Sequence, residues 1–200
     1  GEIANVAQNV MQFGQNAYSA FVDYDSGCDK KKKKTGATGD AVTEFSDIYD
    51  YLVNNIAVTD PYEKAGSAVG ELNTQFGLTG QSLQDASSNV MKFAEINDTD
   101  VTSSVQSAEQ AIASFGLTTD SLPGILDAVT YSAQITGASA DTIFQSCISG
   151  SETLQSLGLS FGESAVLMGE FSQAGVDSST AISVLGKAQV KFAGEGKTMQ

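Results

Sequence analysis

The chain has no His, no Trp and no Arg, so all ten of its cations are Lys. Without His it lacks the commonest general base and metal ligand, and no Ser-His-Asp or Cys-His constellation can be assembled from it. Without Arg it lacks the planar fork that suits phosphates and base edges. A formal net charge of -14 repels a nucleic-acid duplex over most of the surface, so direct nucleic-acid recognition is not expected. Two cysteines, Cys28 and Cys147, are too few for a disulfide scaffold and form no Cys-x-x-Cys pair, so each reads as a small apolar residue. No apolar run approaches the roughly 20 residues needed to span a bilayer, and the opening residues form no signal-peptide pattern. The expectation is therefore no catalytic, cofactor-binding or metal-binding residue, no cofactor and no enzyme.

Prolines number two, and no stretch alternates with the period-two pattern of a strand. At 200 residues and 41% hydrophobic the chain has enough apolar surface for a core. These point to an all-α fold. One phrase recurs as Phe76-Gly77-Leu78-Thr79, Phe115-Gly116-Leu117-Thr118 and Leu157-Gly158-Leu159-Ser160, with 39 and 42 residues between its glycines. That is the range of stacked helical hairpins. Gly can take the left-handed conformation that ends a helix, and Thr or Ser two residues later can cap the next.

Between the copies run apolar residues at helical spacing: Leu83, Ala86, Val90 and Phe93; then Val101, Val105, Ala108, Ile112 and Phe115. The pattern continues with Leu122, Ile125, Leu126 and Val129, then a helix from Asp141 to Leu157, then Phe161, Ala165, Met168 and Phe171. It ends with Ala181, Val184, Leu185, Ala188 and Phe192. A second set of turns falls at Asp98, Gly137 and Gly175, spaced 39 and 38. The sequence thus predicts helical hairpins of about 40 residues stacked in a solenoid-like or bundle array. The stripes alone leave open whether they are buried within the array or in an oligomer.

Residues 61–200 form this repeat region, and residues 1–60 are expected to be an N-terminal helical arm. The arm holds a helix over residues 1–22, a polar loop over 25–40 and a helix from Ala41 to Asn54 with Val42, Phe45, Ile48, Tyr49 and Leu52 on one side. Pro61 suits a first helical turn and leads into Ala65, Val69, Leu72 and Phe76. The chain opens without Met, in mid-helix phase, and stops just after Glu195-Gly196-Lys197, so it is expected to be a piece of a longer protein.

Three patterns invite a chemical reading. Lys30 to Lys34 carry half of the positive charge; such a run can bind an anionic partner, but flanking Asp23, Asp25, Asp29 and Asp40 favour a solvated, locally neutralised loop. Asp98, Asp100, Thr102, Ser104 and Glu109 match the spacing of a calcium loop. Ser103 stands where that loop needs Gly, however, and the Val101, Val105, Ala108 stripe demands a helix through it, so a turn with an N-cap is expected. Thr35-Gly36-Ala37-Thr38-Gly39-Asp40 lacks the Gly-Lys-Ser/Thr ending of a phosphate loop and reads as a turn followed by an Asp40 N-cap.

The stretches KTGATGDAVTEF (Lys34 to Phe45), AGSAVGELNTQFGLTGQSL (Ala65 to Leu83), KFAEINDTDV (Lys92 to Val101) and LQSLGLSFGESAVLMGEFSQAGVDSST (Leu154 to Thr180) resemble the core region of phage or prophage tail tape measure proteins. The resemblance covers nearly the whole chain. It implies a structural protein that lies as a homo-oligomer in the tail lumen of the virion and sets tail length during assembly. By the same resemblance it is made in the host cytoplasm, meets assembly chaperones, the tail tube protein and tail tip proteins, and leaves ahead of the DNA to aid genome ejection. At one point this chain departs from the family, whose residues before KTGATG are largely apolar where Asp29 and Lys30 to Lys34 stand here. Burying several lysines costs too much for the family's local packing to be carried over, so exposure or disorder is expected there.

The sequence leaves two alternatives. A bacterial helical repeat adaptor or surface protein would share the architecture. Because some tape measure proteins carry a wall-degrading domain, the chain could also be the non-catalytic part of a tail-associated cell-wall hydrolase.

Overall fold

The computed structural model describes residues 38–194. Among the described residues are eight α-helices, one 3-10 turn and no strand: α1 (Thr38–Asn55), α2 (Pro61–Phe76), α3 (Gly80–Asn97), α4 (Val101–Ser114), the 3-10 turn Thr119–Ser121, α5 (Leu122–Thr136), α6 (Ala140–Ser156), α7 (Phe161–Gln173) and α8 (Ser178–Gly194). The fold is the expected all-α array of helical hairpins. Of the expected N-terminal arm, the 1–22 helix, most of the 25–40 loop and the lysine run lie outside the described residues. The chain divides into two compact units, Gly1–Glu95 and Ile96–Gln200.

In the first unit, α1 packs on α2 and the core takes Ile48, Leu52, Ile56, Ala65, Val69, Leu72, Leu83, Val90 and Phe93. Pro61 stands in the first turn of α2, after Asp60 in the left-handed region at φ 48°. One expectation is corrected: α1 already includes Thr38, so Asp40 lies inside the helix and is not its N-cap.

The second unit shows the hairpin stack directly. Each helix packs on the next and also on the one after it, α4 on α6, α5 on α7 and α6 on α8. This produces two layers, with α5 and α7 in one and α4, α6 and α8 in the other. The stripes of α4 and α5 are buried in full, so they are the intramolecular core of this unit. At its centre the Phe161 ring meets Phe115 edge-on at 5.3 Å and lies 6.3 Å from Phe144.

The stripe on α8 behaves otherwise. Ala181 is buried, but Val184 and Val190 are 55% and 73% exposed. That helix meets α6 and α7 on one side, so its apolar residues beyond Ala181 exceed the surface those neighbours cover.

Candidate functional site

The recurring phrase is a helix terminus. Gly77, Gly116 and Gly158 all stand in the left-handed region, at φ 65°, 64° and 81°. At two copies the leucine after the glycine closes the end: the Leu117 amide donates to Ile112 O at 2.9 Å and the Leu159 amide to Leu154 O at 3.1 Å. That six-to-one bond is a Schellman closure, and Val176 repeats it on Phe171 O after Gly175. At Gly77 the glycine amide itself donates to Asn73 O.

The helix starts follow two residues later. Asp100, Ser139 and Asp177 each accept from the amide three residues on, from Ser103, Thr142 and Thr180. Each follows a left-handed residue by two: Asp98 at φ 51°, Gly137 at 75° and Gly175 at 76°. Ser160 completes a capping box in which its hydroxyl accepts from the Glu163 amide while the Glu163 carboxylate accepts from the Ser160 amide.

Capping by the phrase's own Thr holds less generally. The Thr118 hydroxyl makes no capping bond; a 3-10 turn and Pro123 in the first turn of α5 begin that helix instead. At the first residue of α3, the Gly80 amide donates to the Glu44 carboxylate, supplied by α1 from 36 residues away. A second carboxylate acts at similar range in the same unit. Glu95 near the end of α3 pairs with Lys64 and accepts from the Thr59 amide at 3.1 Å and its hydroxyl at 2.9 Å, tying down the α1–α2 turn.

These bonds set the titration of their carboxylates. Lys64 first and Thr59 next hold Glu95 below the usual range. The Ser160 amide and hydroxyl do the same for Glu163, and Ser179 and Thr180 for Asp177. Burial pushes the Cys147 thiol up to about 12, which leaves it protonated and unreactive near neutral pH.

Residues of the calcium pattern are spent locally. Helix α4 runs from Val101 through Glu109, the Asp100 carboxylate caps it, and the Ser104 hydroxyl donates to Asp100 O at 2.7 Å. Among the described residues no three His, Cys, Asp or Glu side chains gather as metal ligands. No helix among them is long and apolar enough to cross a membrane. The Lys30 to Lys34 run lies outside the described residues.

What the second unit does build is a tight seam between α5 and α7. The Ser132 hydroxyl donates to Ala165 O at 2.7 Å in a buried bond. A Cβ on Gly169 would collide with Ser132 Oγ and stand 3.0 Å from Thr136 Oγ1, and one on Gly162 would stand 3.9 Å from Ala128 Cβ. Contacts advance together along both helices, so the two run parallel. Small residues at 128, 132 and 136 facing 162, 165 and 169 were readable as a helix-contact pattern, though nothing at sequence level matched one set to the other.

Such a molecule presents joints, seams and surfaces, with no catalytic constellation among its described residues. The sequence model of a family described as Phage-related minor tail protein matches residues 31–200. The chain belongs to that family. No curated protein and no solved structure matches it. As a member of the minor tail protein family it has a structural place in the phage tail, is associated with the virion and contacts other tail components.

Proposed function

We propose that this minor tail protein is a tape measure: its array of hairpins lies in the tail lumen as a homo-oligomer and helps set tail length during assembly. The observation that carries the reading is the doubled period, with left-handed joints at Gly77, Gly116 and Gly158 alternating with those at Asp98, Gly137 and Gly175. A repeated joint lets a chain gain or lose length in whole hairpins without altering its packing rules. Assembly chaperones, the tube protein and tail tip proteins are the partners, and exit ahead of the genome is the later role. The resemblance of Lys34 to Phe45, Ala65 to Leu83, Lys92 to Val101 and Leu154 to Thr180 supports these assignments, as does the family match.

The test is an in-frame deletion of Asp98 to Thr136 in the phage, with tail lengths read from electron micrographs. That deletion joins Asn97 to Gly137, so a left-handed residue still precedes a cap by two. Shorter tails are expected, by at most about 60 Å at the helical rise of about 1.5 Å per residue. Tails of unchanged length would overturn the length-setting role and leave the chain a minor tail protein of another kind.

A further inference from the structure

The surface above the α5–α7 seam is an open groove lined by Tyr131, Gly162, Glu163, Val166, Leu167 and Glu170. Tyr131 is 57% exposed, and Ile135, one turn further along α5, is 46% exposed. Val166 and Leu167 are half-buried at its floor. Glu163 and Glu170 stand two turns apart along its α7 side, and exposed Asp127 lies one turn before Tyr131. We propose that this groove docks an amphipathic helix of a partner protein that presents Lys or Arg beside its apolar face.

Charge selects the occupant. Between Lys92 and Lys187 the sequence has no cation and eleven carboxylates, so nothing in that stretch can neutralise the rim. Lys64, in the other unit, is paired with the Glu95 carboxylate. Glu163 keeps its charge to low pH because Ser160 binds its ionised form. A second copy seated face to face would set Asp127, Glu163 and Glu170 against themselves, since a two-fold contact uses the same patch on both partners. An anionic lipid surface would be repelled for the same reason. A helix with apolar residues for Tyr131, Ile135, Val166 and Leu167 and cations for the rim meets both features, the aromatic anchor in the groove and complementary charge around it. The proposal stands whether or not the chain sets tail length.

The probe is a fluorescent synthetic helix of Leu and Lys with one apolar and one cationic face, titrated by anisotropy against the full chain at low and high salt. Tyr131→Ser and Glu170→Lys alter exposed residues, and circular dichroism confirms that each variant is folded. Glu152→Lys makes the same charge change on exposed α6, in the other layer. The expected result is a Kd raised about tenfold by Tyr131→Ser and by Glu170→Lys, less than about twofold by Glu152→Lys, and weakening with salt. Equal losses from Glu152→Lys and Glu170→Lys, or undiminished binding by Tyr131→Ser, would show general attraction to an acidic protein and overturn the proposal. Self-association of the chain that Tyr131→Ser abolishes would overturn it too, by making a second copy the occupant.

Discussion

The Ser132 hydroxyl occupies the space a side chain at Gly169 would need, and the same hydroxyl donates to Ala165 O on the helix that carries Gly169. One polar atom therefore both fills the space beside Gly169 and ties α5 to α7. Replacing Gly169 with Ala forces the helices apart or breaks the bond, at about 1–3 kcal/mol for overpacking. Chemical denaturation of Gly169→Ala, Ser132→Ala and the double variant should show coupling, the double costing less than the sum because Ser132→Ala removes the colliding oxygen. Strict additivity would separate the two residues.

Gly116 and Gly124 separate conformation from space. A Cβ on either meets nothing within 4 Å, but Gly116 stands at φ 64° while Gly124 lies within α5. Gly116→Ala should destabilise by about 1 kcal/mol through its left-handed backbone, whereas Gly124→Ala should stabilise by about 0.5 kcal/mol through helix propensity. Thermal melts of the two proteins should shift in opposite directions.

The capping box at the start of α7 has a pH signature. Its folded-state bonds hold Glu163 below the usual value near 4.5. The ionised group therefore favours the fold above about pH 4.5, and the contribution is lost as pH falls through the lowered folded value. Glu163→Gln keeps an acceptor and removes the charge. It should melt below the parent at pH 7, with the gap closing as pH drops below 4.5. A gap independent of pH would mean the charge contributes nothing.

Ile112 decides between core and interface. It is 7% exposed within the second unit. Ile112→Asp should unfold that unit by several kcal/mol, since an unpaired charge and a lost apolar contact fall at one buried site. Loss of helical circular dichroism checks it; a folded product of smaller assembly size would place the stripe at an oligomer contact.

Much of this fold was legible because its joints are local. Gly116-Leu117 and Gly158-Leu159 carry within a few residues what a Schellman closure needs, and Asp100, Ser139 and Asp177 sit two residues past their left-handed turns. Glu44 on Gly80 and Glu95 on Thr59 and Lys64 were not legible, because each partner lies 31 to 36 residues away and one exposed Glu looks like another. Helix α8 shows what spacing leaves open. Its stripe records which face is apolar and leaves unstated how much of it a neighbour covers, and Val184 and Val190 are exposed in this chain. The Tyr131 groove is not legible in the sequence either, since Tyr131 and Ile135 lie off the buried stripe and read as ordinary surface residues.

A tape measure built this way needs the hairpin to be an interchangeable unit, and the most direct test is the folding of the protein lacking Asp98 to Thr136. Joining Asn97 to Gly137 puts α6 where α4 began, with the left-handed residue and the Ser139 cap in register. Circular dichroism with thermal unfolding should show a helical protein that melts cooperatively, at a lower temperature for having lost one hairpin of core. A protein without helical signal, or with no cooperative transition, would contradict the repeat.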